Sequence, residues 1–207
     1  MTDKTPNKKS SALPLIILAI SALILGVVVA TYIQSQAKKA SAGITSIGGN
    51  FTLQSNKGPV SLADLKGKVV PLYFGYASCP DICPTSLGKL ATAIRQLSEK
   101  QQKQVQPVFI SVDPGRDDVE KLANYTEAFY PGMLGLTDKK EVIDEVTWNY
   151  RAMYKIVPME DSAMGYSVDH SSTFYIIGKN GIIQSLAQYG STVEELAEQL
   201  ETALSNS

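Results

Sequence analysis

The chain has 207 residues, of which 44% are hydrophobic, and its 19 lysines and arginines nearly balance 20 aspartates and glutamates. That length suits one packed domain with an appendage. The balanced charge, with no basic stripe interleaved with aromatic residues, sets nucleic acid aside as a partner.

Residues 12–33 read ALPLIILAISALILGVVVATYI, an uncharged run as long as a bilayer core requires. Lys4, Lys8 and Lys9 precede it and Lys38 and Lys39 follow, which favours a cytoplasmic N-terminus. A cleaved secretory signal ending at Ala40-Ser41-Ala42 is the competing reading. The run outlasts a usual apolar signal region of about 7–15 residues, however, and two lysines intervene before that site. The expectation is therefore residues 1–11 in the cytoplasm, 12–33 as a single transmembrane anchor, 34–46 as a polar tether, and 47–207 as a globular domain on the outer side. The short segment before the run leaves no room for an Arg-rich presequence, so a bacterial inner membrane with a periplasmic domain is expected.

Within the domain, Phe51 to Leu53 alternates like a short strand, and Ser55 to Pro59 is a turn cluster. Val69 to Gly75 is a continuous apolar run, the pattern of a strand covered on both faces. Pro71 inside it cannot donate to a ladder and is expected at the strand start or at a bulge. From Pro84 the spacing of Leu87, Leu90, Ala91, Ile94 and Leu97 predicts a helix. Val105 to Val112 predicts a second buried strand, Val119 to Phe129 a helix, Met133 to Leu136 a strand and Glu141 to Tyr154 a helix. Thr173 to Ile177 and Ile182 to Gln188 form a hairpin across Gly178 to Gly181. A last helix opens on the capping box Ser191-x-x-Glu194 and turns Leu196, Leu200 and Leu204 inward. The order β-β-β-α-β-α-β-α-β-β-α predicts an α/β protein with a mixed sheet. A cysteine-bearing turn between strand and helix, with a late hairpin and a final helix, is the layout of a thioredoxin-like fold.

The only cysteines are Cys79 and Cys83, and the only histidine is His170. The cysteines sit where a helix begins, a place that favours thiolates. Alone they admit three readings: a structural disulfide, a thiol–disulfide catalyst, or a metal site. His170 stands just before the strand Thr173 to Ile177, in a region that in thioredoxin-like folds faces the cysteine turn. Two soft sulfurs and an imidazole suit copper as Cu(I) or, with a rearranged shell, Cu(II); structural zinc would want a fourth ligand. Met159 and Met164 share the expected loop with His170 and offer thioethers, though methionine more often fills gaps in a core. Asp81 and Asp169 are candidates to tune the site or orient the imidazole, with solvated turn acids as the plainer reading. Asp113 to Asp118 reads first as a turn and helix N-cap, and second as an acidic docking edge.

Tyr73-Phe74-Gly75-Tyr76 leading into Cys79-Pro80-Asp81-Ile82-Cys83-Pro84, then Ile110 to Asp117, then Val168-Asp169-His170 before an apolar strand, together resemble the Sco/SenC family of copper proteins, from about Ile47 to the C-terminus. The resemblance implies a membrane-tethered metallochaperone that helps assemble the binuclear copper centre of cytochrome c oxidase. Cys79, Cys83 and His170 would be its copper ligands, and the cysteine pair would also be able to form a disulfide. The implied partner is the oxidase's copper-bearing subunit, with periplasmic copper carriers or thioredoxin-like reductants beside it. A thiol–disulfide oxidoreductase, with Cys79 and Cys83 as the redox pair, and a copper or redox sensor are the alternatives.

Overall fold

The computed structural model describes Ile17, residues 25–29, Thr31, residues 47–159, Ser162 and residues 164–206. The chain divides into two units, Met1–Gly43 and Ile44–Ser207. In the first, residues 25–29 are helical, and the Thr31 hydroxyl donates to the Val28 carbonyl at 2.9 Å. Among the described residues no helix is long and apolar enough to cross a membrane. Most of the expected anchor over 12–33, and all of residues 1–11 and 34–46, lie outside the described residues.

The second unit begins with an antiparallel hairpin, Thr52–Ser55 (β1) and Gly58–Ser61 (β2), and a single 3-10 turn at Leu62–Leu65. Val70–Gly75 (β3) is buried at every position. It leads to the helix Ile82–Gln96 (α1), the short helix Glu99–Gln102 (α2) and the buried strand Val108–Ser111 (β4). Next come Val119–Glu127 (α3), Leu134–Leu136 (β5) and Lys140–Tyr150 (α4). A second hairpin, Tyr154–Pro158 (β6) and Tyr166–His170 (β7), precedes Thr173–Ile177 (β8), Ile183–Gln188 (β9) and Val193–Ser205 (α5).

Five strands form one sheet in the order β5-β4-β3-β8-β9; β3, β4 and β5 run parallel, and β8 pairs antiparallel with both β3 and β9. Alternation along β3 sends Tyr73 to one face and Phe74 to the other. Tyr73 lies against Phe109 and reaches Ser86 of α1 through its hydroxyl at 3.3 Å. Phe74 packs edge-on to Tyr150 of α4 and to Tyr175. Helices on both faces explain the unbroken apolar run, and the sheet is mixed within a thioredoxin-like α/β fold, as the sequence predicts.

Several boundaries differ from expectation for local reasons. Pro71 is the second residue of β3: toward β4, Val69 bridges Val105 and pairing resumes at Leu72 opposite Val108, while toward β8 Pro71 stands in register opposite Ile176. Only the ladder toward β4 skips the proline, which has no N–H to give. Helix α1 begins at Ile82, two residues before Pro84, which sits in the first turn where its missing N–H costs nothing. Helix α4 stops at Tyr150 because Arg151 turns left-handed, at φ 55°, and this releases Tyr154 into a strand that the helix pattern over 141–154 had hidden. The last helix is capped by Thr192 with Glu195, one residue later than Ser191 with Glu194.

Candidate metal centre

The cysteine turn is built by what surrounds it. β3 delivers the chain to Tyr76, and the Ala77 N–H then donates to Asp117 Oδ2 at 2.8 Å, tying the turn to the segment after β4. The Cys79 N–H donates to the Tyr76 carbonyl at 3.2 Å, which folds the chain back toward α1. Cys79 is half-buried; Cys83, in the first turn of α1, is fully buried; both are free thiols. The Cys83 N–H points at Cys79 Sγ over 3.5 Å, so an unpaired amide at the helix start faces the first sulfur. Space for the second sulfur comes from Gly75, where an added Cβ would lie 2.6 Å from Cys83 Sγ.

His170 arrives from the opposite side as the last residue of β7, not from a loop. Its Nε2 is 3.2 Å from Cys83 Sγ. Its Nδ1 is 3.2 Å from the Ser171 carbonyl, an oxygen that can only accept, so Nδ1 carries a proton and Nε2 is the nitrogen that faces the thiols. Tyr73 and Tyr76 meet the imidazole edge-on at 6.0 and 5.9 Å between ring centres. Burial pushes the Tyr73 phenol up to about 12, and raises Tyr76 as well, so both walls stay neutral. An open cavity of about 410 Å³ lies before the group, lined by Tyr76, Cys79, Pro80, Ile82, Val168 and His170 among others.

The two sulfurs are unequal. Cys79 is held down at about 3, chiefly by the hydrogen bond from the Cys83 thiol, with help from His170 and the Cys83 and Asp81 amides, against the opposing effect of burial. Cys83 is pushed up because it is the donor to that thiolate and because it is buried. One sulfur is thus a half-accessible thiolate and the other a sequestered thiol.

The donor atoms of Cys79, Cys83 and His170 all lie within 4.8 Å of one another. Atoms sharing one ion at about 2.0–2.3 Å lie at most about 4.6 Å apart, so the three donors sit close to the spacing that a single soft ion would need. Among the described residues no fourth His, Cys, Asp or Glu joins the group. Asp81 and Asp169 are exposed, and the imidazole is oriented by the Ser171 carbonyl instead of Asp169. Met159 and Met164 fall at the turn of the β6–β7 hairpin, whose register puts Pro158 opposite Tyr166 there and Tyr154 opposite His170 at the other end. They are not brought to the site. The Asp113 to Asp118 segment is not an acidic docking edge either: Asp113 and Asp117 are 3% and 1% exposed, Asp117 pairs with Lys121 at 2.9 Å, and Asp118 caps α3. Gly75, Tyr76 and Arg116 stand in the sequence only as members of motifs, and neither they nor Ser171 could be given a role there, because those roles depend on neighbours distant along the chain.

A thioredoxin-like domain that sets two unbridged cysteines against a histidine from a separate hairpin belongs to a class built to hold a soft metal or exchange thiols at one exposed point. The SCO1/SenC family model matches residues 39–205, and the chain belongs to that family. It is 40% identical over 154 residues to the mouse mitochondrial protein SCO2 homolog, covering 73% of this chain and 60% of the relative, so the alignment spans less than two thirds of that protein. Among solved structures, it is similar to Arabidopsis thaliana ScoI with copper bound, at 38% identity and a TM-score of 0.72, covering 78% of this chain and 99% of that one. It is also similar to Bradyrhizobium japonicum ScoI with copper bound, at 37% identity and a TM-score of 0.68, covering 76% and 99%.

Proposed function

We propose that this chain is a membrane-anchored copper chaperone: Cys79, Cys83 and His170 hold copper and pass it to the copper-bearing subunit of cytochrome c oxidase. The observation that carries the reading is the convergence of two sulfurs and one imidazole, presented through Nε2, within 4.8 Å, beside an open cavity. Three donors of this softness suit Cu(I), and a low coordination number leaves an incoming thiolate room to bind before the outgoing ligands leave. Copper is cargo in this scheme. The similar copper-bound ScoI proteins support the choice of metal, and the sequence resemblance points to the oxidase as recipient. In the same reading residues 12–33 anchor the chain, and the domain lies on the periplasmic side of a bacterial inner membrane. That topology is tested by asking whether the chain stays with membranes after an alkaline wash and is digested by protease added to spheroplasts.

The inequality of the sulfurs favours a second reading, a thiol–disulfide oxidoreductase in which Cys79 attacks a partner's disulfide and Cys83 resolves the mixed disulfide. One experiment separates the two. The full chain is reduced, freed of reductant without air, and titrated with Cu(I) against a competing chelator, as parent and as His170→Ala. One tight equivalent that weakens at least about tenfold in the variant supports the chaperone; weak binding in both, with rapid exchange with a disulfide substrate, supports the oxidoreductase.

A further inference from the structure

The β6–β7 hairpin is a two-stranded sheet of its own, separate from the five-stranded sheet, yet it must present His170 to cysteines held by that larger sheet. Tyr166, Val168 and His170 alternate onto one face of β7. His170 reaches Cys83, and Val168 is buried with its backbone hydrogen-bonded to Tyr76. Tyr166 meets Arg116, which lies in the segment after β4. Arg116 Nη1 donates to the Tyr166 and Met164 carbonyls at 2.9 and 3.2 Å, and its Nε donates to Asp113 Oδ2 at 2.5 Å. The Tyr166 hydroxyl donates to the other Asp113 oxygen at 2.7 Å. The guanidinium lies 3.6 Å from the centre of the Tyr166 ring and 5.6 Å from that of Tyr76, the same Tyr76 that walls the imidazole. Asp113 is itself fixed, buried and with its N–H donating to Ser111 Oγ at 3.0 Å.

We infer that Arg116 is a positioning residue for His170: through Asp113 and Tyr166 it latches β7 to the core sheet four residues before the imidazole, and through Tyr76 it holds the ring's wall. The task suits arginine, whose planar fork bonds a carboxylate and carbonyls at once while stacking on aromatic faces; lysine keeps the charge and loses that geometry. The inference rests on reading Cys79, Cys83 and His170 as the copper site.

Because the chain has a single histidine, its ring can be watched without metal. The full chain, labelled with 15N in histidine and kept reduced in mild detergent, is compared as parent, Arg116→Gln, Arg116→Lys and Tyr166→Phe by the ring signals at one fixed pH. Cu(I) affinity is measured by chelator competition in the same proteins, in His170→Ala and in the Arg116→Gln, His170→Ala double variant. Arg116→Gln and Arg116→Lys are expected to move the ring signals toward those of free histidine and to weaken Cu(I) binding about tenfold; Tyr166→Phe moves both less, in the same direction. In the His170→Ala background, Arg116→Gln should change the affinity little. Ring signals that stay put in Arg116→Gln overturn the latch, as does an equal loss of affinity with or without His170. If His170→Ala binds like the parent, the ligand reading fails, while the metal-free ring signals still decide the latch. Should the Arg116 variants fail to fold, Tyr166→Phe decides by the same two readouts.

Discussion

Gly75 is the residue on which the site's packing turns. A Cβ there would fall 2.6 Å from Cys83 Sγ and 2.9 Å from the Phe109 ring, so Gly75→Ala must displace either the Cys83 sulfur or the core. It is expected to destabilise the fold by about 1–3 kcal/mol, the range for overpacking, and to weaken Cu(I) binding, as read by urea denaturation and chelator competition. The thiols make a second prediction. An ordinary cysteine titrates near 8.5, and its alkylation rate falls about tenfold per pH unit below that value. With Cys79 held at about 3, its thiolate fraction is already full in mild acid. Iodoacetamide labelling of the metal-free chain, followed by peptide mass spectrometry, should give a Cys79 rate nearly flat from about pH 8 to pH 5 and little labelling of Cys83. The linked stability has the matching sign: the Cys79 contribution is full above the unfolded value and declines as pH falls toward the folded one. At this scale the sequence exposed the three proposed ligands through residue type alone, since there were no other cysteines or histidines to choose from. It could not reveal Gly75, because a glycine ending a strand looks the same whether or not a sulfur from the next helix fills the space over it.

Among the elements that build the site, the β6–β7 hairpin is the one the sequence concealed. Tyr154, Ile156 and Pro158 alternate, as do Tyr166, Val168 and His170, but the first set runs on from a helical pattern and the second is too short to stand apart from a loop. What separates helix from strand is Arg151, left-handed at φ 55° and capping α4 through its N–H to the Thr147 and Trp148 carbonyls. Glycine takes this conformation without the Cβ penalty. Arg151→Gly is therefore expected to stabilise the domain by about 0.5–1 kcal/mol, net of the Arg151 contact with the Trp148 ring, measured as a higher midpoint in urea. The long elements were legible because their signals are redundant. β3 carries an unbroken apolar run, β4 an apolar stretch from Val108 to Ile110, and α1 repeats its apolar face over four turns, so one discordant residue such as Pro71 interrupts one ladder without erasing the strand.

For the molecule as a whole, the proposed copper site predicts that metal binding and folding are linked. An ion that joins Cys79 and Cys83, at the end of β3 and the start of α1, to His170 of a separate hairpin ties together parts the unfolded chain keeps far apart. Binding to the native state alone stabilises by about 2.7 kcal/mol at a free-ion level one hundred times Kd. Cu(I) should therefore raise the Tm of the reduced parent, while a Cys79→Ser, Cys83→Ser variant melts at the same temperature with or without it; differential scanning calorimetry under nitrogen reads both. The sequence by itself determined the α/β class, the mixed sheet and the identity of the three soft donors, because apolar periodicity and residue type are local properties written along the chain. Tertiary structure decided the rest: that the imidazole comes on a strand, that its proton is placed by Ser171 and not by Asp169, that Met159 and Met164 lie at the wrong end of their hairpin, and that Asp113 and Asp117 are buried supports. Each of these depends on which segments meet after folding, and a contact between residues fifty or ninety positions apart leaves no periodic trace in either.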